Sequence, residues 1–205
     1  GETADVLVEG FRPGVMARLG LSPEAVRARN PRLVYCSISG YGQTGPLSQQ
    51  AGHDINYSGY AGVADQLGTP QGQLALSNLP LADLMGGTLT PAMGILAALF
   101  DAQRTGQGRW VDVAIADGVL AHAVLPLGEL NARGRVSPPG QAKLTGGMPC
   151  YGLYVTQDER YLAVGAFEPK FWQLFCQTIG RQDLAPHGMP DTPERSVAVR
   201  QSLQA

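Results

Sequence analysis

Asp5-Val6-Leu7-Val8-Glu9-Gly10 opens the chain's first legible unit, and Leu33-Val34-Tyr35-Cys36-Ser37-Ile38 closes it. Both are short apolar runs rich in β-branched and aromatic residues, the pattern of buried strands. Between them, Arg12-Pro13-Gly14 is turn chemistry, and Met16–Leu19 reads as a helical turn stopped by Gly20. Ser22-Pro23-Glu24 supplies an N-cap hydroxyl and a proline at the first helical position, which predicts a helix over 23–29. Strand, helix and strand at this spacing imply an α/β fold with a parallel sheet.

Working outward, Gly40 to Pro80 is glycine-rich with weak periodicity and reads as a long loop. Such loops are rare in compact domains unless they carry function. Asp83 to Gln103 then reads as one apolar helix, with Leu84, Leu89, Met93, Leu96, Leu99 and Phe100 implying burial on most sides. Thr105-Gly106-Gln107-Gly108 ends it. Trp110–Ile115 is expected as a strand and Asp117–Leu130 as a second apolar helix. Residues 1–130 are thus expected to form part of a large domain. Residues 131–149, rich in Gly, Pro, Arg and Ser, are expected as a linker. Residues 150–205 are expected to begin a smaller α+β domain, with a hairpin at Tyr151–Val155 and Tyr161–Ala166 and a helix over Pro169–Gly180. The abrupt ends suggest a piece of a longer protein.

Composition narrows the function. The 205 residues carry a net charge of -2, which argues against nucleic acid or an anionic membrane as a partner. Charged residues are 16%, below the ~25% usual for soluble domains, so more of the surface is expected to be packed against something. No apolar run approaches the ~20 residues of a membrane span without a glycine, proline or polar interruption. The three cysteines, Cys36, Cys150 and Cys176, have neither disulfide nor zinc spacing. They are expected to be reduced, buried thiols, which implies a cytoplasmic protein. Gly40-Tyr41-Gly42-Gln43-Thr44-Gly45 matches the dinucleotide pattern G-x-G-x-x-G, but Pro46 follows where a helix should open. It is read as a turn leaving a strand. His122, on an apolar helix, is read as a core histidine with a satisfied ring.

The chemistry concentrates in Gly52-His53-Asp54-Ile55-Asn56-Tyr57 and in Asp83. His53 lies in a short polar setting, not on an apolar stripe, and an imidazole titrates near neutral pH. Asp83 opens a helical segment, where the helix dipole and free N–H groups would hold a carboxylate ionised. Two such bases on opposite faces of an acidic carbon can remove a proton from one side and return it on the other. The amides around Asp83 and Gly86-Gly87 are candidate oxyanion donors, because glycine lets the backbone approach closely. Asp54 and Asn56 also have a simpler reading as turn hydrogen-bonders.

Several motifs resemble one family. They are Glu9-Gly10-Phe11-Arg12-Pro13-Gly14-Val15 with Arg18-Leu19-Gly20, then Ser39-Gly40-Tyr41-Gly42-Gln43-Thr44-Gly45-Pro46, Thr105-Gly106-Gln107-Gly108-Arg109 and Gly165-Ala166-Phe167-Glu168-Pro169. Together they resemble the family III CoA transferases. The Gly52–Tyr57 run resembles that family's alpha-methylacyl-CoA racemase branch. The resemblance is in register from about Ala4 to Gly180 and fades after about Asp183.

It implies a Rossmann-like large domain, here incomplete, with a smaller domain and an interlocked homodimer. It implies His53 and Asp83 as catalytic bases and Glu168 as the acid that orients the histidine; Glu168 could equally cap the helix that follows it. Gly10, Phe11, Arg12 and Arg18 fall where the family contacts coenzyme A. Gly52, Asp54, Ile55, Asn56 and Tyr57 fall where it holds the thioester. The expected substrate is an acyl-CoA thioester, with coenzyme A a part of the substrate, no prosthetic group and no metal. The expected activity is inversion of the α carbon of a 2-methylacyl-CoA. The alternatives are a CoA transferase with Asp83 as the nucleophile that forms an acyl anhydride, and an inactive CoA-binding fragment.

Overall fold

A computed structural model describes residues 3–69, 71 and 73–204. The chain divides into two compact units, one formed by Gly1–Ala64 with Leu76–Gly128 and one by Asp65–Ala75 with Glu129–Ala205.

The first unit is built on a parallel sheet of order β1-β2-β3, from Val6–Glu9, Val34–Ser39 and Trp110–Ala114. Val6 pairs with Val34, and Tyr35 with Trp110. The central strand β2 is the most buried of the three: Val34, Tyr35 and Cys36, with Leu33 just before them, are fully buried. That is the burial of a strand covered on both faces. The α/β class and the parallel sheet are therefore as the sequence implied. Helices α1 (Val15–Arg18) and α2 (Pro23–Arg29) connect β1 to β2. The Ser22 hydroxyl caps α2 by accepting from the Ala25 N–H. The turn before β3 needs glycine, because a Cβ on Gly108 would lie 1.9 Å from the Leu33 carbonyl oxygen.

Several expectations change here. The stretch from Gly40 to Pro80 is not one loop: it contains α3 (Asp54–Tyr60) and a short 3-10 turn at Ala64–Gln66. Second, helix begins at Leu81, not Asp83, as α4 (Leu81–Leu84). It runs through a wide π turn (Met85–Leu89) into α5 (Thr90–Thr105). This helical stretch is not buried on most sides. Pro91, Ala98 and Ala102 are buried and Gly94 approaches Val111 on β3, whereas Leu89, Met93, Leu96 and Phe100 are exposed. Small residues recurring at helical spacing let α5 lie close to the sheet, and that puts the bulky side chains outside. Leu81–Thr105 thus forms 25 continuous helical residues that include an 18-residue window of mean hydropathy 1.3, long and apolar enough to cross a membrane by length and composition. Third, the second apolar helix is two. α6 (Ile115–His122) and α7 (Val124–Arg133) part at Ala123. Pro126 has no N–H to give the His122 carbonyl and would clash with it in a straight helix. His122 is exposed rather than in the core, though its Nδ1 lies 2.8 Å from the Gly118 carbonyl oxygen.

The second unit carries the expected hairpin, β4 (Tyr151–Val155) antiparallel to β5 (Tyr161–Gly165), and then α8 (Pro169–Thr178). Its core is Cys150, Tyr154, Val164, Ala166, Trp172, Cys176 and Leu184. The Trp172 indole donates to the Leu184 carbonyl at 3.0 Å, and the Tyr154 phenol to that of Pro149 at 2.6 Å. The tail is ordered as α9 (Pro193–Gln204), anchored where the Arg181 guanidinium donates to Ser202. Residues 131–149, expected as a linker, begin inside α7 and belong to this unit. All three cysteines are free and buried.

Candidate active site

The parallel strands all end on one edge, and in such sheets ligands bind beyond the carboxyl ends of the strands. Gly10, Phe11 and Arg12 leave β1 there. The Glu9 carboxylate, itself buried, accepts the Phe11 N–H at 2.9 Å and fixes the path of that turn. Phe11, Arg12 and Arg18 are exposed, and among the described residues neither arginine pairs with a carboxylate.

Gly40 leaves β2 on the same edge and begins the glycine-rich turn. No helix opens at Gly45, so the segment lacks the phosphate-binding helix start of a dinucleotide site, as the sequence reading held. Its role is to receive Tyr57. A Cβ on Gly40 would lie 2.4 Å from the Tyr57 ring, and one on Gly52 would lie 2.6 Å from it. Tyr57 is buried between these glycines, and its phenol donates to the Gly52 carbonyl at 2.6 Å. Tyr41 packs edge-on against it with ring centroids 5.3 Å apart. This wedge seats α3 at the end of β2. Beside it lies a recess of about 250 Å³ whose lining includes Tyr41, Thr44, Tyr60, Asp117 and Leu120.

His53 is the N-cap residue of α3. The Asn56 side-chain oxygen accepts the His53 backbone N–H at 3.0 Å, so Asn56 does make the local hydrogen bond expected of it. The imidazole is exposed, and Ile55 is half-exposed on the next turn of surface.

Asp83 sits in the first turn of α4, whose N-cap position is held by Pro80. Proline has no side-chain acceptor, so the helix start needs one from elsewhere. Asp54 provides it: its Oδ1 accepts the Asp83 N–H at 3.0 Å. This tie brings His53, Asp54 and Asp83 together at two adjacent helix starts.

The electrostatics correct the expectation for Asp83. Its carboxyl is pushed above the ordinary aspartate value, first by desolvation and then by the Asp54 carboxylate, with His53 opposing. The helix dipole does not prevail over desolvation and the neighbouring Asp54 charge.

The glycines at 86 and 87 also have another use. A Cβ on Gly86 would lie 2.1 Å from the Ile115 carbonyl oxygen, and one on Gly118 would lie 2.5 Å from the Gly86 Cα. Gly86 is therefore required by the crossing of the π turn with α6. The Asp83 N–H, engaged by Asp54, is not the free oxyanion donor the sequence suggested. Glu168 lies in the second unit as the N-cap residue of α8, exposed and without a side-chain cap bond.

Two features escaped the sequence reading. One is the cap that Asp54 provides to another helix. The signal was present, since Pro80-Leu81-Ala82 begins a helix with no capping side chain of its own. The other is Tyr57 as the wedge that seats α3, signalled by glycines flanking it at 40 and 52.

The family model for CoA-transferase family III matches residues 2–205. The chain belongs to CoA-transferase family III. Among family III relatives, human alpha-methylacyl-CoA racemase is 42% identical over 197 residues, covering 93% of this chain and 51% of that protein. The acetyl-CoA:oxalate CoA-transferase of Acetobacter aceti is 37% identical over 183 residues, covering 89% of this chain and 46% of that one. The crystal structure of Rv3272 from Mycobacterium tuberculosis superimposes with a TM-score of 0.80 at 29% identity, covering 99% of this chain and 54% of that one. The chain thus spans about half the length of the curated relatives it matches.

Proposed function

We propose that this chain carries the proton-transfer centre of an enzyme that inverts the α carbon of 2-methylacyl-CoA thioesters. The observation that carries the reading is the tie from Asp54 to Asp83, which holds two proton-transfer side chains, His53 and Asp83, at neighbouring helix starts. One base removes the α proton, and the C–H electron pair moves into an enolate whose charge rests on the thioester oxygen. The other group returns a proton to the opposite face of the same carbon. The C–S bond is untouched, and the reverse direction exchanges the roles. A carboxyl with a raised pKa suits this, since it must hold a proton as well as accept one. The high identity to alpha-methylacyl-CoA racemase supports the choice of substrate class.

Arg12 and Arg18 are the proposed contacts for coenzyme A phosphates, which a guanidinium can bind in bidentate fashion. Gly10 and Phe11 would line the same edge. By the family resemblance alone, Glu168 is proposed as the third residue of the catalytic machinery, and the working enzyme is proposed to be a homodimer.

A second reading rests on relatives that are CoA transferases. There the Asp83 carboxylate attacks the thioester carbonyl, coenzyme A leaves as the thiolate, and an acyl anhydride remains on the enzyme.

The test is α-proton exchange. The protein is incubated with (R)-2-methylacyl-CoA in D2O, and deuterium entry is followed by NMR. Exchange should occur and should fall by about 10²–10⁴-fold in His53→Ala. Loss of acyl transfer in Asp83→Ala, with His53→Ala unaffected, would instead establish the transferase reading.

A further inference from the structure

α4 begins without a cap of its own. The first four N–H groups of a helix have no intrahelical acceptor, and Pro80 offers none from its side chain. The first backbone bond of the helix is Leu84 N–H to the Pro80 carbonyl, at 2.9 Å. The Asp83 N–H is satisfied from α3, by the half-buried Asp54 carboxylate at 3.0 Å. Asp54 is also the first residue of α3, joined by one peptide bond to His53. α3 is seated independently, by the Tyr57 wedge between Gly40 and Gly52. A single side chain therefore bridges the element that carries one base to the element that carries the other.

We propose that Asp54 is a positioning residue: its carboxylate clamps the first turn of α4 to the first turn of α3 and so sets the separation of His53 and Asp83. This rests on the proton-transfer reading above for its functional meaning, though the clamp itself is a structural claim. Asp54 does not exchange a proton with the substrate in this scheme. Its acceptor oxygen fixes geometry, and its charge biases Asp83 toward the protonated form. The ionisable groups around Asp83 are His53, Asp54 and Tyr57 from α3, and α6 carries Asp117 and His122; the π turn has none. Of these, Asp54 is the nearby acid that raises the Asp83 carboxyl, and His53 opposes it.

Two variants separate the two effects. Asp54→Asn keeps an acceptor oxygen and removes the charge; Asp54→Ala removes both. The first readout needs no activity. An amide at this helix position has no backbone acceptor, so its protection from hydrogen exchange reports the clamp. In the intact protein the Asp83 amide should exchange about tenfold faster in Asp54→Ala, the loss of one hydrogen bond, and should stay largely protected in Asp54→Asn. The Asp83 carboxyl, followed by NMR titration, should move to lower pH in both. The second readout is α-proton exchange. Asp54→Ala should lower kcat by about 10–100-fold with little change in KM, and Asp54→Asn should recover most of kcat with its acidic limb displaced to lower pH.

Equal amide exchange in all three proteins, or an Asp83 midpoint unmoved by both variants, would overturn the clamp. A rise in KM with kcat unchanged in both variants would make Asp54 a substrate contact and overturn the positioning role. If the parent shows no α-proton exchange while its Asp83 amide is protected through Asp54, the clamp stands and the racemase reading falls.

Discussion

The Tyr57 phenol donates to the carbonyl oxygen of Gly52 at 2.6 Å, locking the residue immediately before His53 to the helix that His53 begins. Removing the hydroxyl in Tyr57→Phe should destabilise the protein by about 1 kcal/mol, the net worth of a buried neutral hydrogen bond. Gly52→Ala should cost more, because its Cβ would meet the Tyr57 ring at 2.6 Å and unseat α3. Urea unfolding of both variants gives the comparison. The α-proton exchange rate should fall further in Gly52→Ala, where the backbone leading to His53 must move.

Gly86 and Gly118 are a second point without room. A methyl group at Gly86 would press on the Ile115 backbone carbonyl, which no rotamer change can relieve. Gly86→Ala should cost about 1–3 kcal/mol, as overpacking typically does. Gly118→Ala should resemble it, and the double variant should be less than additive because both substitutions strain one crossing. Guanidinium unfolding midpoints at constant slope would show this.

The raised Asp83 carboxyl has a signed consequence for stability. The folded state binds this proton more tightly than the unfolded chain, whose value is near 3.8. Its contribution is therefore fully present below that pH and is lost as pH rises through the higher folded value. Near neutrality the ionised Asp83 is a burden, so Asp83→Asn should raise Tm at pH 7. The gain should be smaller than the 2–4 °C that about 1 kcal/mol produces in a chain of this size, since the side chain is open to solvent. It should vanish on acidification toward pH 3. Calorimetric scans of the parent and the variant across that range would show the convergence, while α-proton exchange is lost throughout.

Glu159, at the tip of the β4–β5 hairpin, has φ 59, the left-handed region. Residues with short polar side chains reach that region more readily than glutamate. Glu159→Asn should stabilise the second unit by up to about 1 kcal/mol and leave the exchange activity unchanged, as thermal melts and kinetics on the same preparation would reveal.

Much of this was legible from local pattern. Ser22-Pro23 marked its helix, the β2 run marked a buried strand, and the apolar period of α8 survived intact, because in each case the information lies within a few residues. α3 was missed because Gly59 and the polar residues around it give little helix signal; the helix is held by where Tyr57 is wedged, a contact that reaches back to Gly40. The α5 reading erred in orientation, not in existence. Bulky apolar residues dominated the pattern, while the stripe of Pro91, Gly94, Ala98 and Ala102 determined which side met the sheet. At the candidate site, His53 and Asp83 were singled out by motif. The upward shift of Asp83 was not, because it depends first on desolvation in the folded chain and then on a carboxylate twenty-nine positions away in sequence.

Both His53 and Asp83 lie within the single connection between β2 and β3, whose pairing joins Tyr35 to Trp110. Closing so long a loop comes late and slowly compared with forming the local helices. The sheet that this connection closes is complete only once β3 has docked, so the site is expected to form in the last folding step rather than growing with the chain. During synthesis, a nascent chain stopped before residue 110 would already contain His53 and Asp83 but not the strand that completes the sheet.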